Sequence, residues 1–181
     1  MSTRVVLVAL VVSSAVAAAR PVVHPTFAVE THGAGFNSGS GGSLLGISFG
    51  GALRGGIRND RWGLFLHVEN DVWGGTNYDA GLVPGVVNVG LGGEHRFANG
   101  LIRTAFAFGT STLVFDTVLD KAGSTGLFLD VRPLGIRWQI GKSNFTFGID
   151  PIGLTFMMPV LSGLPLVRIQ FRTSFMLEFT L

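Results

Sequence analysis

Apolar and polar residues alternate with a period of two along most of this chain, and the pattern is clearest at its end. Val167, Ile169, Phe171, Thr173, Phe175, Leu177, Phe179 and Leu181 share one parity. Arg168, Gln170, Arg172, Ser174, Met176, Glu178 and Thr180 share the other. Successive side chains of a strand point to opposite faces, so this segment predicts a strand with one apolar and one polar face. The split recurs upstream. Ile102, Thr104, Phe106 and Phe108 oppose Arg103, Ala105 and Ala107, while Trp62, Leu64, Leu66, Val68 and Val72 oppose His67, Glu69 and Asp71. Val87, Val89 and Leu91 oppose Asn88, Glu94 and Arg96; Leu45, Ile47, Phe49 and Leu53 oppose Ser48, Ala52 and Arg54; Phe27 and Val29 oppose Ala28, Glu30 and His32.

In two segments the parity slips midway. Asp130 and Arg132 are one step out of phase with Arg137 and Gln139, and the slip falls at Arg132-Pro133-Leu134-Gly135. Phe145, Phe147 and Ile149 are out of phase with Ile152, Leu154 and Phe156, with the slip at Asp150-Pro151-Ile152-Gly153. Pro removes a ladder donor and Gly relaxes the backbone, so both sites predict β-bulges. The pattern predicts about eight strands, near 26–36, 44–55, 61–73, 85–96, 100–115, 124–140, 143–158 and 165–181. Short connections (55–60, 97–99, 141–142) alternate with longer ones (37–43, 74–84, 116–123), and 160–164 is expected to be a short outer loop. An even strand count with short turns at one end and longer loops at the other is the pattern of an outer-membrane barrel. The predicted fold is all-β: a closed antiparallel up-and-down transmembrane β-barrel.

Composition decides which face is outside. The chain is 13% charged and 47% hydrophobic, against about 25% charged in a soluble domain. Its N-terminal apolar run is shorter than the ~20 residues a spanning helix needs and no second run approaches that length, and a closed barrel is the other way to satisfy every backbone group in lipid. The bulky Phe, Leu, Ile and Val residues occupy one face, while Gly, Ala and Ser interrupted by charges of both signs occupy the other. Small and paired residues suit the interior of a narrow barrel, so the apolar face is assigned to lipid. The N-terminus carries Arg4, an apolar run from Val5 to Val12 and Ala17-Ala18-Ala19. This predicts a signal peptide over 1–19, cleaved near Ala19, and a barrel over 20–181. With no cysteine in the chain, disulfide frameworks and thiolate chemistry are excluded. A formal net charge of +2 without a Lys/Arg cluster leaves nucleic acid without a binding patch.

The mature chain resembles the OmpA/OmpX type of small bacterial outer-membrane barrel in architecture. Its most specific element is Phe175-Met176-Leu177-Glu178-Phe179-Thr180-Leu181, similar to the terminal strand read by the barrel-assembly machinery, although it ends on Leu181 where the family usually has Phe or Trp. The resemblance implies an outer-membrane location, with the surrounding lipid and the assembly machinery as partners. It does not single out one role among structural anchors, adhesion-type proteins, narrow channels and a few lipid-modifying enzymes.

The candidate site is the predicted lumen. Its inward ion-pair set is Glu30, His67, Glu69, Asp71, Glu94, Arg96, Arg103, Asp130, Arg132, Arg137, Asp150, Arg168, Arg172 and Glu178, joined by His32 and Arg54. Acids and arginines nearly balance. An unpaired buried ion costs several kcal/mol, so the leading expectation is a lumen plugged by ion pairs in a structural or envelope-integrity protein. A porin-like narrow channel is the alternative, followed by a lipid-modifying enzyme. His67, Glu69 and Asp71 share a face in principle fit for a metal, but ion pairing is the expected fate and no metal or cofactor is assigned. Gly46-Ile47-Ser48-Phe49-Gly50 matches a nucleophile-elbow motif that requires a strand-to-helix turn, and here it falls within an alternating strand. None of His24, His32, His67 and His95 has a Ser two residues on. Catalysis is not expected.

Overall fold

The computed structural model describes residues 22–39, 46–75, 85–115, 121–161 and 166–181. The expected signal peptide and most of the longer connections lie outside the described residues. Eight strands follow one another: β1 His24–Gly39, β2 Gly46–Arg58, β3 Trp62–Gly75, β4 Gly85–Phe97, β5 Ile102–Phe115, β6 Thr125–Gln139, β7 Phe145–Val160 and β8 Leu166–Thr180. Each pairs antiparallel with its sequence neighbours, and β1 pairs with β8, so the sheet closes into a barrel. Closure removes both sheet edges, leaving no open row of backbone donors to face lipid.

Strand ends differ from the sequence expectation by one to three residues in most places, and the difference at the end of β2 has a local cause. β2 runs on to Arg58, because Gly56 and Arg58 continue the inward parity through the segment expected to turn, and the reversal is confined to residues 59–61. There the Asn59 side-chain oxygen accepts the backbone amides of Arg61 and Trp62 at 2.8 and 2.7 Å. β1 is also longer than expected, and β7 keeps its expected length but is shifted by two residues, so that it takes in Val160. The β4–β5 reversal passes through a single 3-10 turn, Ala98–Gly100, with Asn99 and Gly100 at φ +57° and +86°. Asn and Gly are the residues that enter this left-handed region most readily.

The parity slips are bulges. From Arg103 to Ala105 on β5, the partner strand β6 advances from Gly135 to Arg132, one residue more. From Ser174 to Arg172 on β8, β7 advances from Asp150 to Gly153, again one more. Without the extra residue, Arg132 and Arg137, an odd number of positions apart, would point to opposite faces. With it, both point inward, as do Asp150 and Gly153.

The two faces of the wall are unlike. Every Asp, Glu and Arg within the described strands points inward, and all but Arg58 at the β2 terminus are buried. Outward residues such as Phe27, Leu53, Leu64, Leu91, Phe108, Leu129 and Phe175 are 44–60% exposed. At the short-turn rim His95 packs between Trp62 and Phe97, with ring centroids 4.1 and 4.2 Å away. An apolar belt encircling the whole wall far exceeds the few hundred Å² of contiguous apolar surface tolerated in water, whereas a flanking aromatic girdle is what lipid-embedded barrels carry.

Candidate functional site

Alternation places one residue in two of each strand inside the barrel, and a narrow eight-stranded enclosure brings those side chains within reach of one another. The central acceptor is Asp150, set on β7 at the bulge. It receives Arg103 from β5 (Nη2–Oδ2 2.5 Å), Arg137 (Nη2–Oδ1 2.9 Å) and Arg132 (Nη1–Oδ2 3.2 Å) from β6. Arg132 also reaches Glu30 on β1 at 2.6 Å and Asp130 at 2.7 Å, and Glu30 takes Arg54 of β2 at 2.7 Å. In the other direction Arg103 bonds Glu94 at 2.7 Å. Arg96 bridges Glu94 and Glu178 at 2.6 and 2.8 Å, and Glu178 lies 3.3 Å from Arg58. One connected chain of ion pairs thus runs from Arg58 to Arg54 and draws on every strand but β3.

A second cluster lies nearer the long-loop end. Glu69 of β3 accepts Arg172 at 2.7 Å, the Asn88 amide at 2.8 Å and His67 Nε2 at 3.2 Å. Gln170 donates to Asp71 at 2.6 Å and accepts from Arg172 at 3.0 Å, while His32 Nε2 sits 3.5 Å from Asp71. Glu69 and Asp71, expected on the same face as His67, are therefore engaged chiefly by Arg172 and Gln170. Arg168 is buried opposite Met157. Gly46–Gly50 lies inside β2, away from any elbow.

Small residues make the network possible. A Cβ at Gly135 would overlap the Asp150 carboxylate, one at Gly148 the Arg137 guanidinium, and one at Gly92 the Phe65 ring. Phe65 fills the lumen beneath Arg54, whose guanidinium lies 4.8 Å from the ring centroid. A void of about 20 Å³ remains between Arg54, Phe65, Arg103 and Met176, room for about one water.

Sequence reasoning missed two features of this interior. Arg58 falls in the segment expected to turn, although the Gly56–Arg58 parity marks it as inward. The second is an apolar layer at the long-loop end formed by Val86, Ala107, Leu113, Phe128, Met157 and Val160, all buried. Val86, Leu113 and Phe128 share the parity of the polar residues on their strands, but the assignment of bulk to the outer face hides them; Ala107 is on the face expected inward, and Met157 and Val160 lie beyond register shifts on β7. At the opposite end the lumen widens into a bowl of about 1310 Å³ lined by the three short turns, Arg58, Arg96 and Arg137.

A closed barrel with its strand charges inside and an apolar exterior is a transmembrane β-barrel. Its fold is that of the small eight-stranded outer-membrane barrels. Neisserial surface protein A has this fold and superposes with a TM-score of 0.53 at 15% identity, over 87% of this chain and 99% of the other. The N-terminal β-barrel domain of Pseudomonas aeruginosa OprF gives 0.43 at 9% identity, over 83% and 96%. The attachment invasion locus protein Ail of Yersinia pestis gives 0.47 at 11% identity, over 89% and 100%. No protein-family model and no curated protein matches the sequence.

Proposed function

We propose that the protein is an integral outer-membrane barrel whose lumen is a structural plug, contributing to envelope integrity without conducting solutes and without catalysis. The observation that carries this reading is the Arg58-to-Arg54 chain of ion pairs, which crosses the lumen between opposite walls. The apolar layer at the long-loop end supports it, since such a layer excludes water. In this reading the chain is exported by residues 1–19 and assembled through residues 175–181 by the barrel-assembly machinery, and it is surrounded by outer-membrane lipid.

Two measurements test it. N-terminal sequencing of the outer-membrane form is expected to read Arg20 first; recovery of an intact Met1 start in the cytosol would overturn the export route. In planar bilayers the purified barrel is expected to give no stable conductance steps at moderate voltage. Long-lived, uniform steps would instead support the narrow-channel reading, with the short-turn bowl as its vestibule.

A further inference from the structure

We propose that the bowl at the short-turn end is a binding site for a small soluble oxyanion, a carboxylate or a phosphate, seated on Arg137. The bowl is lined by Arg58, Arg61, Arg96 and Arg137 and by a single acidic side chain, Asp60. The arginines are not equally neutralised. Arg96 lies between two carboxylates, and Arg58 has Glu178 and the Thr180 hydroxyl. Arg137 has the Ile136 carbonyl, at 2.9 Å, and Asp150 as its one carboxylate, and Asp150 is shared by three guanidiniums. Arg103 and Arg132 each have a further carboxylate, so the deficit falls on Arg137.

Among the arginines that line the bowl, geometry points to the same side chain. Arg137 is 2% exposed, and among the described residues its Nε has no hydrogen-bond partner. A buried guanidinium donor left unmade is costly, and a charged acceptor is its strongest remedy. Arg137 lies over Gly148, whose missing side chain gives it its seat. One register step toward the mouth, Gln139 pairs with Thr146, and both line the bowl. An anion here would meet a guanidinium, a hydroxyl and an amide. The site is inside the ring of strands while lipid headgroups lie outside it, so the ligand is a soluble anion entering through the short-turn mouth.

The test uses the full barrel refolded in zwitterionic detergent and titrated separately with inorganic phosphate and with succinate, at ionic strength held constant with chloride. The Arg137 Nε–H resonance is expected to shift saturably with at least one of the two. Thr146→Val, which keeps the side-chain shape and no charge, is expected to weaken binding by about tenfold, the order expected for one hydrogen bond to a charged group. Arg137→Gln is expected to abolish it. Since Arg137→Gln removes a network member, Thr146→Val keeps the proposal testable if that variant fails to fold. The proposal is overturned if neither anion gives a saturable shift, if chloride alone reproduces the shift, or if Thr146→Val binds as the parent does. Conductance is read on a different preparation, so a failure here is separate from a failure of the plug.

Discussion

Asp150→Asn is expected to cost about 3–5 kcal/mol of folding stability, the range for removing one partner from a buried ion pair. The substitution keeps the shape of the side chain and removes only its charge. Three guanidiniums meet at this carboxylate, and they fare differently without it. Arg103 retains Glu94, and Arg132 retains Glu30 and Asp130. Arg137 is left with no carboxylate, so most of the cost should sit there. A double substitution, Asp150→Asn with Arg137→Met, is therefore expected to recover a good part of the loss, the signature of coupling between contacting residues. Urea unfolding in lipid vesicles, followed by the heat-dependent mobility of the barrel on gels, measures both. If Asp150→Asn cost under about 1 kcal/mol, the guanidiniums would be solvated by water, and the lumen would be a wet path in place of a plug.

Phe171→Arg is expected to destabilise the barrel by about 2–4 kcal/mol if the residue lies near mid-membrane and by less near an interface. Phe171 is 50% exposed on the outer wall, and its neighbour Gln170 is fully buried in the lumen. The sign of the effect reports the surrounding medium. In lipid, a charge at this position loses its hydration. In water, the same change would replace an exposed aromatic ring with a solvated cation and would be neutral or stabilising. Phe171→Leu, which keeps the position apolar, is expected to change little. Equal stability of the Phe171→Arg variant and the parent in vesicles, together with folding of the parent to a soluble species in plain buffer, would refute the membrane assignment.

Much of this architecture is legible in the sequence because alternation is a local property. Strand count, strand order and the facing of Glu30, His67, Glu94, Arg103 and Arg172 all follow from parity, and a one-residue error would turn each side chain to the wrong face. The Pro-Gly pairs at 133–135 and 151–153 disclosed their bulges for the same reason. Strand ends were less legible, because Gly55 and Gly56 look like turn residues, and only the pairing of β2 with β1 and β3 carries the strand on to Arg58.

What parity cannot supply is distance across the barrel. That Glu69 meets Arg172, or Arg132 meets Glu30, joins residues more than a hundred positions apart, and it depends on the closure and stagger of the whole sheet. The same holds for Asp150, which reads as one acid among seven and becomes the hub because two bulges bring three arginines to it. The sequence alone determined which charged residues within the expected strands face inward and that their charges had to be paired, since burial leaves an ion no other favourable state. Only the tertiary structure decided who pairs with whom, where an apolar layer replaces charge, and that Arg137 is the least neutralised of the three guanidiniums at Asp150, because those outcomes depend on which strands closure sets face to face.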